Sequence, residues 1–177
     1  MASPDVALEA RARRAYEAGR ALRGARRAAV ALPLATLSLL CCGQPGATCV
    51  VAGLLAVAVG AFEWRGLSLG RGARIGLWAG LPALLLPIAV QWMGHACGRS
   101  LCALYPAVCA SAGIAGGVLL VTWCRRRGVE PYGLVAAGLT AALAGSLGCL
   151  VAGIPGLVAL TVGLALGSAP TLAWRRA

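Results

Sequence analysis

The fold of this chain is decided by stretches such as residues 131–150, PYGLVAAGLTAALAGSLGCL, which hold twenty residues without a single charge. A helix of that length rises about 30 Å, enough to cross the hydrocarbon of a bilayer. Membrane-spanning strands are shorter and alternate apolar with polar residues, a pattern that this stretch lacks. Because lipid offers the backbone no hydrogen-bond partners, such a stretch predicts a transmembrane helix.

Similar stretches recur along the chain and predict an all-α membrane protein, a bundle of about six transmembrane helices. The composition agrees, since 60% of the residues are hydrophobic and 12% are charged, against about a quarter charged in soluble domains. The first two expected spans are joined by Gly43-Gln44-Pro45-Gly46, a turn signature, and a re-entrant hairpin is the alternative for this pair. The expected spans are 28–42, 46–62, 73–92, 103–123, 131–150 and 154–174.

The arginines predict how the bundle is oriented. All sixteen basic residues are arginine, which is typical of a GC-rich bacterial genome, and only Arg99 falls in a loop on the side opposite the other fifteen. Because arginine accumulates in cytoplasmic loops, we expect a multi-pass protein of the bacterial inner membrane with both termini in the cytoplasm. Residues 1–27 then form a cytoplasmic segment, 28–174 the transmembrane domain and 175–177 a cytoplasmic tail.

The N-terminal segment, residues 3–27, is expected to form an amphipathic helix, because Pro4 and Asp5 suit a first helical turn. A thin apolar stripe follows one of its faces: Leu8, Ala12, Ala15 and Leu22. Two interpretations stay open. The helix either lies among lipid headgroups and anchors the first span, or it is the docking element for a cytoplasmic partner. The candidate partner-binding residues are Arg13, Tyr16, Arg20 and Arg23.

Several classes of function are excluded by what the spans lack. No ionisable residue lies well inside any span, since Glu63 only closes the second, and this argues against an ion-coupled pump or transporter. Paired carboxylates for acid–base catalysis are missing and His95 is the only histidine, so we do not expect an enzyme. The net charge of +11 arises from arginines at helix ends, and we expect no direct binding of nucleic acid.

Close packing of the helices is indicated by small residues four positions apart, which let helix backbones approach each other. Such pairs occur at Gly76–Gly80, Gly113–Gly117 and Gly163–Gly167.

Cysteine is the most specific feature of the sequence. Only Cys124 is expected at the arginine-bearing side, and the other seven of the eight cysteines fall at the opposite side: Cys41, Cys42, Cys49, Cys97, Cys102, Cys109 and Cys149. Small lipid-facing hydrophobes would be scattered through all depths. Three interpretations stay open, namely structural disulfides, redox or metal sensing, and inert packing.

Two candidate sites follow from these cysteines. One histidine and three cysteines could complete a tetrahedral site for a soft metal ion of the zinc, copper or mercury class. These four candidate ligands are His95, Cys97, Cys102 and Cys109. The adjacent Cys41 and Cys42 are strained as a mutual disulfide and suit a thiophilic ion or two separate partners better. The candidate redox or disulfide cysteines are Cys41, Cys42, Cys49, Cys102 and Cys149.

This layout resembles the NrsF-type membrane anti-sigma factors, which have a short cytoplasmic N-terminal segment, six spans, and outer cysteines before span four and at the end of span five. The matching positions are Cys102 (or Cys97) and Cys149, the latter within residues 139–149, LTAALAGSLGC. The family usually carries a histidine beside the second cysteine, where this chain has Gly148. The resemblance implies that residues 3–27 hold a sigma factor inactive and that the outer cysteines sense a metal or an oxidant.

A second resemblance is to small mercuric-ion transporters, which also place adjacent cysteines, like Cys41 and Cys42, in the first span. It implies transport of a heavy metal rather than regulation. A structural small membrane subunit is the third alternative. The interpretation that best covers the sequence is an inner-membrane sensor or regulator whose partners are the lipid bilayer and a cytoplasmic sigma factor or other regulatory protein.

Overall fold

The computed structural model describes residues 4–41, 45–97 and 105–173, which are 95% helical and contain no strand. The predicted all-α class is therefore confirmed. The helices are α1 (Pro4–Ala28), α2 (Ala31–Cys41), α3 (Pro45–Arg65), α4 (Leu67–Cys97), α5 (Tyr105–Arg126), α6 (Pro131–Cys149) and α7 (Gly153–Ala173), with a short 3₁₀ turn at Leu150–Ala152.

Four of these helices, α3 to α6, are long and apolar enough to cross a membrane by length and composition. The apolar stretch of α7 is shorter, covering Gly153–Ala169. Helix α2 has only 11 residues, a length of about 16 Å. The number of helices thus agrees with the expectation of about six spans and an N-terminal helix, whereas α2 alone is too short to cross.

Helix α4 is longer than the sequence suggests, because it begins and ends beyond the expected span 73–92. A one-residue turn at Gly66, with φ of 71°, reverses the chain directly from α3 into α4. At its other end α4 continues through His95 to Cys97. The expectation that these two residues lie in a loop is therefore wrong for their backbone, since no turn sequence interrupts the helix before them.

The core consists of two tightly packed pairs of parallel helices, α4 with α6 and α5 with α7. In the first pair a Cβ atom on Gly80 would lie 2.9 Å from the Ala141 carbonyl oxygen. In the second, a Cβ atom on Gly117 would lie 2.6 Å from the carbonyl oxygen of Leu164. A side chain has no room at either position, so the predicted small-residue pairs do mark helix–helix contacts.

The two ends of the bundle differ in chemistry. At the arginine end lie Arg65, Arg71 and Arg74 around the α3–α4 turn and Arg125 to Arg127 after α5, and Arg74 and Arg127 line one cavity. Cys124 belongs to this end. At the opposite, cysteine end lie Cys49 near the start of α3, Cys109 near the start of α5 and Cys149 at the end of α6. Within the described residues, cysteine and arginine are therefore segregated as expected.

Candidate functional site

Two thiols meet in the interior of the cysteine end. Cys109 of α5 and Cys149 of α6 are fully buried and pack together in one cluster. The Cys149 thiol also approaches the carbonyl oxygen of Ala83 on α4, with Sγ and oxygen 3.9 Å apart. Both cysteines are in the reduced, unbridged form.

Small residues create the space in which these two thiols pack. Cys109 lies four residues before Gly113, and Cys149 lies four residues after Gly145, so each continues the small-residue face of its helix. On α7, a Cβ atom on Gly156 would lie 3.4 Å from Cys109 Sγ and 2.9 Å from the carbonyl oxygen of Cys149. The remaining contacts are apolar and are made by Ala83, Ala112 and Leu160.

The chemistry open to this pair is that of two neighbouring sulfurs. A two-electron oxidant converts two adjacent thiols into a disulfide, and a soft ion can be held between two thiolates. Burial slows reaction of each thiol with large reagents, so the pair suits a small stimulus.

A polar contact next to the pair connects it to the N-terminal helices. The Ser38 hydroxyl of α2 is buried and donates to the carbonyl oxygen of Leu147, two residues before Cys149, at 2.7 Å. Helix α2 follows α1 after only two turn residues, and the Leu32 N–H of α2 bonds to the carbonyl oxygen of Ala29 in that turn. The end of α6 is therefore in direct contact with the unit formed by α1 and α2, so that a displacement of α6 would be passed to this unit.

Helix α1 lies against α3 through one face. A Cβ atom on Gly24 would lie 3.0 Å from the Gly60 carbonyl oxygen, so the two backbones nearly touch. Nearer the N-terminus, Arg20 donates a hydrogen bond to the carbonyl oxygen of Trp64 and lies over the Tyr16 ring at 5.7 Å from its centre. The face of α1 that packs against α3 thus consists of glycine and polar side chains.

The predicted apolar stripe of α1 points the other way. Leu8 is 68% exposed and Leu22 is 72% exposed. On a helix these positions lie on the side opposite Gly24 and Arg20. The stripe has no partner among the described residues, which leaves it available to headgroups or to another protein.

The four candidate partner-binding residues of α1 differ in their surroundings. Arg13 is exposed and pairs with the side chain of Glu17 at 3.3 Å. Tyr16 and Arg23 are also exposed. Arg20 is instead tied to α3 through Trp64.

The proposed metal set falls largely outside the described structure. His95 and Cys97 have a described backbone at the end of α4 but no described side chains, and Cys102 lies outside the described residues. The fourth member, Cys109, belongs to the pair with Cys149. No group of three metal-binding side chains occurs within residues 4–41, 45–97 and 105–173 as far as they are described.

Only some of the candidate redox cysteines lie within the described residues. Cys41 ends α2 without a described side chain, while Cys42 and Cys102 lie outside the described residues. Cys49 is exposed and unbridged. The packing of Cys149 with Cys109 was not predicted from the sequence, although the position of each cysteine on a small-residue face of its helix was a usable signal.

An ion pair at the arginine end was missed as well. Arg74 of α4 donates two hydrogen bonds to the carboxylate of Glu63 on α3, at 2.6 and 2.9 Å. The Glu63 side chain is only 7% exposed, whereas that of Arg74 is 51% exposed. This pair fixes the geometry of the α3–α4 turn.

Comparison with models of protein families, with curated proteins and with solved structures gives no match to this chain.

Proposed function

We propose that this protein is a thiol sensor of the bacterial inner membrane that regulates a cytoplasmic protein through α1. The observation that carries the proposal is the packing of Cys109 and Cys149 in one buried cluster, next to the hydrogen bond that links Leu147 to Ser38 of α2. In this proposal the arginine end faces the cytoplasm, in keeping with the preference of arginine for that side. The cysteine end then faces the oxidising periplasm.

The stimulus is a hydroperoxide that reaches the pair. One thiolate attacks the peroxide oxygen, giving a sulfenic acid and releasing the alcohol or water of the leaving oxygen. The second thiol then displaces water from the sulfenic acid, so that two thiols and one hydroperoxide become one disulfide, one alcohol and one water. The peroxide is reduced by the two electrons that the thiols lose.

The signal is the shortening of the distance between the two sulfurs. A disulfide holds them about 2.05 Å apart, closer than two unbridged thiols can approach. Helices α5 and α6 must adjust, and Leu147 moves with the end of α6. Because Leu147 bonds to Ser38, the adjustment reaches α2 and the adjoining α1.

The output is the exposed face of α1. Its stripe, represented by Leu8 and Leu22, faces away from the bundle. Arginines lie beside it, and Arg13, Tyr16 and Arg23 are exposed enough to contact a protein. A cytoplasmic sigma factor is the partner that the resemblance to anti-sigma factors suggests.

Hydrogen exchange of α1 tests this coupling in the purified protein in lipid nanodiscs. After treatment with hydrogen peroxide, we expect amide exchange within residues 4–28 to change severalfold in the wild type and in Cys124→Ser, a matched loss of a buried thiol at the other end. The response should vanish in Cys109→Ser and in Cys149→Ser. A response that persists in both of these variants, or that is absent from the wild type, would overturn the sensing role of the pair.

A soft ion is tested in parallel, because two sulfurs also suit a thiophilic stimulus. Silver(I) is added in place of peroxide, and α1 exchange is measured with the same four proteins. Proteoliposomes should take up no silver, which separates a sensor from a metal transporter. The regulatory output is checked by Leu8→Ser with Leu22→Ser, which should release the controlled transcription while the bundle stays inserted.

A further inference from the structure

We propose that the arginine end carries a binding site for a phosphate-bearing anion, in a cleft formed by α1 and the α3–α4 turn. The cleft has a volume of about 610 Å³, within the usual range for ligand sites of about 300–1,000 Å³. This site is independent of the cysteine pair, so either proposal can fail without the other. The charged residues that line it are Arg20, Arg23, Glu63, Arg65, Arg71 and Arg74.

The charge of the cleft calls for an anion. Five guanidinium groups and one carboxylate line it, a formal excess of four positive charges. Like charges collected in one concave surface repel each other unless a counter-charge is present. A phosphate group supplies that charge together with several acceptor oxygens, and arginine binds it through parallel N–H donors.

Two of the five arginines have no other partner. Arg74 is engaged by Glu63, and Arg20 by the carbonyl of Trp64. Arg65 and Arg71 form no ion pair or hydrogen bond with any described residue. Their donors are therefore free for a ligand, on both sides of the one-residue turn.

The backbone adds to the positive potential. Helix α4, which is 31 residues long, begins at Leu67 directly behind Gly66. The N-terminus of a helix carries a partial positive charge from unpaired N–H groups and attracts anions. Gly66 and Gly70 line the cleft without side chains, so a ligand can approach this turn closely.

In the membrane, we place the cleft at the level of the lipid headgroups. Trp64, whose carbonyl holds Arg20, is 53% exposed, and exposed tryptophans mark the membrane interface. A second, largely apolar cavity of about 230 Å³ shares Glu63 and Arg74 with the cleft. Its walls include Leu34, Leu77 and Leu81, which suit an acyl chain. The phosphate thus belongs either to an anionic lipid or to a soluble phosphorylated molecule.

Binding of a phosphate in the cleft would join α1 to the rest of the bundle. A phosphate in the cleft would bridge Arg23 of α1 to Arg65 and Arg71 of the α3–α4 turn. A ligand that joins two elements stabilises the state in which they are packed together. Occupancy of the cleft would hold α1 on the bundle.

Binding is measured with two probes on the full-length protein. Radiolabelled pyrophosphate is titrated against the protein in phosphatidylcholine nanodiscs, and cardiolipin is titrated against the detergent-solubilised protein in native mass spectrometry. The test variant is Arg65→Gln with Arg71→Gln. Its matched control, Arg125→Gln with Arg126→Gln, removes two exposed arginines from the same end outside the cleft.

We expect at least one probe to bind, and the cleft variant to bind it more than about tenfold less tightly, since each arginine contributes a charge-assisted hydrogen bond. The control should stay within about threefold of the wild type. Binding of pyrophosphate identifies a soluble anion, and binding of cardiolipin alone identifies a lipid. Failure of both probes, or equal losses in the two double variants, would overturn the site.

Discussion

At the scale of single residues, the carboxylate of Glu63 is the group with the clearest structural role at the arginine end. It is nearly buried and accepts two hydrogen bonds from Arg74 across the turn between α3 and α4. A bidentate pair of this kind fixes orientation as well as distance. The same carboxylate limits the excess of positive charge in the cleft beside it.

Replacing Glu63 by glutamine should therefore destabilise the bundle. We expect a loss of about 1–2 kcal/mol, because a buried charge-assisted pair is broken while the half-exposed Arg74 can still reach water. Thermal unfolding in detergent measures the change. Glu17→Gln, which breaks the exposed pair with Arg13, is the control and should shift stability by less than about 0.5 kcal/mol. Equal shifts in the two variants would contradict the structural role of Glu63.

Residue-scale features could be predicted from the sequence only where they depend on local spacing. The small-residue faces that continue into Cys109 and Cys149 are visible as four-residue intervals. Which of these faces meet depends on how four helices pack together, and no interval within one helix specifies that. The resemblance matched Cys102 (or Cys97) and Cys149 to the outer cysteines of the family and left their pairing open, whereas among the described residues Cys149 packs in one cluster with Cys109.

At the scale of elements, the close approach of α4 to α6 depends on glycines that leave no space for a side chain. A Cβ atom on Gly80 would lie 2.8 Å from Ala144 Cβ and 2.9 Å from the Ala141 carbonyl oxygen. On the same α6, Gly138 has no atom within 4 Å of such a Cβ position. These two glycines form a matched pair for testing the interface.

Gly80→Ala should destabilise the bundle by about 1–3 kcal/mol, since the added methyl group forces the helices apart. Gly138→Ala adds the same group at an open position and should be neutral or slightly stabilising, because alanine favours a helix. Thermal unfolding of the two variants in the same detergent distinguishes them. A stable Gly80→Ala protein would show that α4 and α6 are not held at this distance.

The link between α2 and α6 is the second element-scale feature, and Ser38→Ala tests it. Loss of the buried hydrogen bond to Leu147 should cost about 1 kcal/mol. Peroxide should still oxidise the cysteine pair in this variant, but the change in α1 exchange should be lost. Thr36→Ala, which removes an exposed hydroxyl from the same helix, should respond like the wild type. If Ser38→Ala also responds, the signal does not pass through this bond.

The lengths of the elements were predicted less well than their existence. Helix α4 extends beyond its expected span at both ends, through residues 67–72 and 93–97. Hydropathy identifies the part of a helix that suits lipid, but it does not show how far the helix extends outside the membrane. The cleft at the arginine end could not be predicted for the same reason, since it depends on the extended start of α4 and on α1 crossing α3.

At the scale of the whole molecule, the protein separates two chemistries along one axis. Cys49, Cys109 and Cys149 lie at one end, and the arginine cleft with the ion pair of Glu63 and Arg74 lies at the other. The unit of α1 and α2 reaches both ends, because Arg20 contacts Trp64 and Ser38 contacts Leu147. This arrangement suits a protein that transmits a change at one face to a helix at the other.

The central claim is that Cys109 and Cys149 form the oxidisable pair, and two variants with only two cysteines each test it most directly. One retains Cys109 and Cys149, the other retains Cys102 and Cys149, and serine replaces the remaining cysteines in both. After hydrogen peroxide treatment in native membranes, alkylation and intact mass spectrometry report whether an intramolecular disulfide has formed. We expect a disulfide in the first variant and free thiols in the second. Free thiols in the first variant, or closure only in the second, would contradict it.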